Sequence, residues 1–166
     1  MILLCSGGGG WYEDRTMKTI VAAVDFSNAT SGVVSMATRL AKAFGAELHL
    51  LHVVEPEPTY TAYGFTPDEF PAMHAFQEEA KRRANRKLEE LLAGVDSDLS
   101  GVVTRLVEGS PLHALLEYVK DNRVDMVILG SHGHGVVASL LLGSVAEGMV
   151  RKALVPTLLV PAEKES

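Results

Sequence analysis

From Met17 onward the chain alternates short, uninterrupted apolar runs with segments whose apolar residues recur at helical spacing, and nothing constrains its fold more. A strand covered on both faces reads as a continuous apolar run, whereas a half-exposed strand alternates. Five such runs are present: Thr19–Val24, Glu47–Val54, Gly101–Val107, Met126–Leu129 (extended back to Val124 by its apolar character) and Thr157–Val160. Val34, Ala37, Leu40, Ala41 and Phe44 mark a first helix, with Ser27 or Asn28 as its cap and Gly45 as its end. Phe76, Ala80, Ala84, Leu88, Leu91 and Leu92 mark the apolar face of a second helix, closed by Gly94; Glu78, Lys81, Arg82, Arg86, Glu89 and Glu90 solvate its other face. Gly109-Ser110-Pro111 supplies a turn, a cap and a proline at the first helical position, with Leu112, Leu115, Leu116 and Val119 facing inward. Ser144-Val145-Ala146-Glu147 reads as the capped start of a fourth helix, which runs to about Lys152. Glu55–Pro71 holds prolines at 56, 58, 67 and 71 and is a long loop.

Strand–helix alternation of this kind predicts an α/β fold: a doubly wound, five-stranded parallel sheet with helices on both faces, Rossmann-like. Right-handed crossovers give the order 3-2-1-4-5, which brings together the ends of the first, second and fourth strands. The last run, bracketed by Pro156 and Pro161, suits a sheet edge. Its apolar character there invites pairing with a second copy of the chain.

With 166 residues and 47% apolar content, one domain with an ordinary core is expected, over residues 17–162. Residues 1–16, with Gly7-Gly8-Gly9-Gly10, read as a flexible extension or expression remnant. The alternative is a tail whose Trp11 and Tyr12 dock on the domain or a partner. Residues 163–166 are a short tail. The formal charge of −6 argues against a nucleic-acid surface, which would carry a basic stripe. Cys5 is the only cysteine, so no intramolecular disulfide or cysteine zinc cluster can form. No apolar run approaches the roughly 20 residues that span a bilayer, and Met1–Cys5 is too short and lacks a preceding basic residue for a signal core. A cytoplasmic location follows as the expectation, with neither membrane nor nucleic acid as partner.

The chemistry concentrates after the fourth strand. Gly130-Ser131-His132-Gly133 is followed by nine residues and then Gly143-Ser144. Glycines let a backbone approach a ligand closely, and a helix N-terminus presents free N–H groups and positive partial charge to an anion. Asp25, ending the first strand, can accept hydrogen bonds from a ribose or an adenine amino group, or simply open the turn and cap the next helix. Gly133-His134-Gly135-Val136-Val137-Ala138 matches a dinucleotide pattern but follows the wrong strand and lacks its acidic partner. Gly130-x4-Gly135 lacks the lysine and hydroxyl residue of a phosphate-binding P-loop, which weakens any case for efficient phosphoryl transfer. Neither His132 with His134 nor His49 with His52 has a third ligand at a recognisable spacing, so no metal site is expected. No serine sits in a nucleophile elbow, and no catalytic residue is assigned.

The spacing Gly130-x2-Gly133-x9-Gly143-Ser144 resembles the nucleotide-binding signature of the universal stress protein family. Val24-Asp25-Phe26-Ser27, Leu51-His52-Val53-Val54, Val124–Gly130 and Val155–Val160 extend the resemblance from Met17 to about Val160. It implies a domain that binds ATP, or AMP or ADP, with magnesium carried on the phosphates, and that forms a homodimer through Thr157–Val160. It also implies a regulatory stress-response role, with at most slow ATP hydrolysis; a nucleotide-free dimeric interaction module is the other reading. Carried over by position, Ala23, Val24 and Asp25 meet the adenosine portion and Val53 lines the adenine pocket. Leu129, Gly130, His132, Gly133, His134, Gly143, Ser144 and Val145 surround ribose and phosphates. The nucleotide would order residues 131–142 and so change a surface that partners read. Relatives often carry proline where this chain has Ala23, and lysine or arginine where it has His134. Because histidine titrates near pH 6.5, nucleotide affinity is expected to rise on acidification from about pH 8 to 6.

Overall fold

The computed structural model describes residues 16–56, 71–96, 98–99, 101–133 and 142–162. Nine elements follow in order: β1 (Thr19–Ala23), α1 (Thr30–Phe44), β2 (Glu47–Val54), α2 (Pro71–Ala93), β3 (Val102–Glu108), α3 (Pro111–Asp121), β4 (Met126–Gly130), α4 (Ser144–Lys152) and β5 (Thr157–Val160). The strands form one sheet in the order β3-β2-β1-β4-β5, every pair parallel. The expected order and edge position of the last strand therefore hold. The extension 1–16, apart from Thr16, the tail 163–166, most of the proline-rich loop and His134 lie outside the described residues.

Each central strand is apolar throughout because successive side chains enter two different cores. Ile20 and Ala22 point into a layer with Val33, Ala37 and Ala41 of α1 and Leu88 of α2. Val21, between them, joins Leu115 and Val119 of α3 and Met149 of α4 on the opposite face. Burying a side chain the size of Ile20 or Val21 stabilises by about 1.5–3 kcal/mol, so these two positions, which with Ala22 have no exposed surface, anchor the sheet from both sides.

The ends of the elements are fixed by specific groups. Gly45 sits at φ +63° and ends α1, and the following Ala46 N–H donates to the Ala41 carbonyl at 2.9 Å. The Asp125 carboxylate accepts the Lys18 and Thr19 N–H groups at 2.8 and 3.0 Å, tying the start of β1 to the start of β4. A Cβ placed on Gly148 of α4 would lie 2.3 Å from the Leu112 side chain of α3, so the two helices touch where glycine leaves room.

Five expectations are corrected. The N-cap of α1 is Ala29, not Ser27 or Asn28: the Ser27 carbonyl accepts the Thr30 N–H at 3.1 Å within a tight turn that precedes the helix. The N-cap of α4 is Gly143, whose carbonyl accepts the Glu147 N–H at 2.8 Å; Ser144 is the first helical residue. Phe76, placed on the buried face of α2, is 70% exposed, and Phe44, at the last position of α1, is half exposed. Val124 precedes β4 in a turn, its N–H bonded to the Val119 carbonyl.

Candidate functional site

The carboxyl ends of β1, β2 and β4 open into a cleft of about 340 Å³. It lies where the winding reverses, since β1 pairs with β2 on one side and β4 on the other. Eleven of the twelve residues singled out from sequence line it: Ala23, Val24, Asp25, Val53, Leu129, Gly130, His132, Gly133, Gly143, Ser144 and Val145. The twelfth is His134, and the ordering of residues 131–142 likewise turns on residues outside the described set.

On the β1 wall, the Val24 N–H continues the sheet by donating to the Leu51 carbonyl at 2.9 Å, and then the chain turns out. Asp25 Oδ1 accepts the Ser27 N–H at 3.0 Å, a local turn that holds the carboxylate at the mouth of the cleft. It does not cap α1. On the β2 wall, His52 donates from Nδ1 to the Val24 carbonyl at 2.7 Å, and its ring lies 4.3 Å from the Phe26 ring. Burial pushes the His52 imidazole below its ordinary value, against the opposing pull of that carbonyl bond and of Asp25. Being an acceptor only, the carbonyl fixes the proton on Nδ1 in the neutral ring. Lys87 of α2 completes the stack, its Nζ 4.9 Å from the Phe26 centroid.

On the β4 wall, Gly130 and Gly133 are closely covered. A Cβ on Gly130 would lie 2.9 Å from Ala29 Cβ and 3.0 Å from the His132 carbonyl oxygen; one on Gly133 would lie 2.7 Å from Asp25 Oδ2. The Ser131 N–H donates to the Val160 carbonyl at 2.8 Å, and the Ser131 carbonyl accepts the Gly143 N–H at 2.9 Å. That pair of bonds clamps the start of α4 against the end of β4. The N–H groups of Ser144, Val145 and Ala146 occupy the first turn of α4, ahead of the first intrahelical bond at Glu147, so the helix offers them no carbonyl. All three residues line the cleft.

Two buried side-chain atoms among the described residues lack any hydrogen-bond partner, Thr30 Oγ1 and His132 Nε2, and both residues line this cleft. Thr30 is 7% exposed. Buried polar groups are nearly always paired, and leaving one unpaired costs about 1–3 kcal/mol. His132 Nδ1 pairs with the Ser131 hydroxyl at 2.9 Å, which sets the ring's orientation.

Nine further residues line the cleft that sequence reasoning did not single out, among them Thr30, Val33, Glu55, Pro111 and Leu115. A signal existed for Thr30, a hydroxyl standing at helical spacing with Val33, Val34 and Ala37. Pro111 and Leu115 enter because α3 starts beside the same sheet edge, a placement that only the packed crossover reveals. No group of three or more His, Cys, Asp or Glu side chains among the described residues is arranged to hold a metal ion. No described helix is long and apolar enough to cross a membrane.

Comparison with known proteins places this geometry in a lineage. The chain is 34% identical over 146 residues to the universal stress protein encoded in the QAH/OAS sulfhydrylase 3′ region of Thermus aquaticus, covering 86% of this chain and 98% of that one. The universal stress protein UspA of Lactobacillus plantarum superposes with a TM-score of 0.70 at 20% identity, over 89% of this chain and 99% of that chain. A universal stress protein of Archaeoglobus fulgidus, solved in complex with dAMP, superposes with a TM-score of 0.59 at 18% identity, over 87% and 97% of the two chains. The pattern of the Universal stress protein family matches residues 16–161, nearly the whole described fold, and the chain belongs to that family.

Proposed function

We propose that the cleft binds an adenine nucleotide and that binding, rather than turnover, is the functional event. The observation that carries this is the placement, at the switch point of the sheet, of three N–H groups of α4 that have no carbonyl partner within the helix. In this reading the α4 N-terminus, with Gly143, Ser144 and Val145, receives phosphate. Asp25 accepts from the ribose or the adenine amino group, and the backbone at Val53 edges the base. The Archaeoglobus fulgidus relative taken with dAMP supports a nucleotide as the guest. Turnover is disfavoured because no Lys or Arg among the described lining residues stands ready to stabilise a transferring phosphoryl group. Magnesium would arrive on the phosphates of ATP.

The same reading makes the protein a cytoplasmic regulatory module that pairs as a homodimer along β5. That strand is the sheet edge, with the exposed Val150 and Leu154 beside it in sequence.

Acid extraction of the purified full-length chain, followed by chromatography and calorimetric titration with adenosine, AMP and ATP, tests the proposal. Released adenine nucleotide or saturable binding is the expected result. ADP accumulating from added ATP would make the protein a slow ATPase, and absence of any binding would leave a nucleotide-free interaction module. A monomer by light scattering would remove the β5 dimer.

A further inference from the structure

We propose that the cleft selects its ligand by phosphate charge, taking an adenine nucleoside monophosphate in preference to a metal-free triphosphate; this rests on the nucleotide reading above. The described lining residues include two carboxylates, Asp25 and Glu55, and no lysine or arginine. Lys87 lies over the Phe26 ring and does not line the cleft. The chain as a whole carries −6.

Against this stand backbone and neutral groups. The starts of α1, α3 and α4 all border the cleft, through Thr30, Pro111 and Ser144. A helix N-terminus presents roughly half a positive charge, which fades within its first turn. Three of them about balance two carboxylates, leaving little surplus for an anion. The hydrogen-bond donors match one phosphate in number: the N–H groups of Ser144, Val145 and Ala146, beside the Ser144 hydroxyl. Thr30, 93% buried by its 7% exposure and without a partner, adds a hydroxyl rather than a charge. A nucleoside monophosphate brings about two negative charges, because its second ionisation lies near pH 6. Each further phosphate adds charge to a site whose described lining offers no lysine or arginine to receive it, in a partly enclosed cleft where charges interact more strongly than in water. A divalent cation riding on the β and γ phosphates would cancel that excess.

Calorimetric or fluorescence titration of the full chain with adenosine, AMP, ADP and ATP at pH 8, first in EDTA and then with excess magnesium, tests this. In EDTA, affinity should fall from AMP through ADP to ATP by about tenfold or more; magnesium should recover most of the ATP loss while leaving AMP within about twofold. Raising salt should narrow the AMP–ATP gap, because screening weakens charge repulsion but not a steric limit. Glu55→Lys, at an exposed position, should narrow it as well by strengthening ATP more than AMP. ATP binding in EDTA at least as tightly as AMP overturns the proposal, as does a gap indifferent to both salt and Glu55→Lys. Failure of all four ligands to bind removes the nucleotide reading itself, an outcome distinct from tight binding of ATP.

Discussion

The two glycine-bearing walls of the cleft differ in what a side chain there would meet. At Gly130 a Cβ would press on Ala29 Cβ at 2.9 Å and on a backbone carbonyl at 3.0 Å, neither of which can rotate away. At Gly143 the nearest atoms are His132 Cα and the Ser131 oxygen, both at 3.5 Å, an ordinary contact. Gly130 is small because the fold has no space for more. Gly143 would accept a Cβ in ordinary contact with its neighbours, so packing does not by itself demand a glycine there. One signature thus combines a glycine that packing demands with one that packing does not, and substitution separates them.

Gly130→Val carries the largest expected effect: overpacking against fixed atoms costs about 2 kcal/mol or more, or a fall in Tm of roughly 5–8 °C for a chain of this size. Thermal unfolding checks it, and a variant as stable as the parent would erase the contrast between the walls. Gly143→Val should cost only about 1 kcal/mol, the loss of a favourable N-cap residue, while lowering nucleotide affinity by about tenfold or more through obstruction of the α4 N-terminus. Equal losses of stability in the two variants, with binding retained in the second, would reverse the assignment.

Thr30→Val sharpens the comparison from inside the cleft. Removing an unpaired buried hydroxyl without changing shape should leave the ligand-free protein as stable or more stable by up to about 1 kcal/mol, and weaken nucleotide binding by about threefold to tenfold. A drop in ligand-free stability would show that the hydroxyl already has a partner. His52→Asn probes the neighbouring wall with the smallest effect, since an asparagine amide can replace the Nδ1 donor to the Val24 carbonyl. Because burial depresses the His52 pKa in the folded state, the stabilisation is complete above the unfolded value and is lost as pH falls through the folded one. Between pH 7 and pH 5 the parent should therefore lose stability more steeply than His52→Asn, as urea unfolding at the two pH values would show.

The strands were the most legible part of the sequence. β2 and β5 have the expected bounds because both are abruptly bordered, β2 by Gly45 and the prolines beyond Glu55, β5 by Pro156 and Pro161. The helix starts were less legible. Residue type alone favours a hydroxyl or carboxamide at the N-cap, yet in α1 Ser27 is spent in the turn after Asp25, and in α4 the clamp between Ser131 and Gly143 sets the first turn. Phe76 fits the period of α2 but not its length. A 23-residue helix extends for about 34 Å, whereas the seven-residue β3 beneath it extends for about 23 Å. Periodicity says which side of a helix faces the core, not where the core stops. Thr30 shows the same limit at the site: it is buried because α1 packs on the sheet, which no local pattern encodes.

The contact between Gly148 and Leu112 gives the cleft a remote adjuster. With glycine in that position the two helices bear directly on one another, like a hinge leaf closed flat, and the starts of both lie at the cleft. A side chain inserted there would act as a shim. It would press on the Leu112 side chain, so the spacing of two helices whose starts line the cleft depends on a residue four positions beyond Ser144.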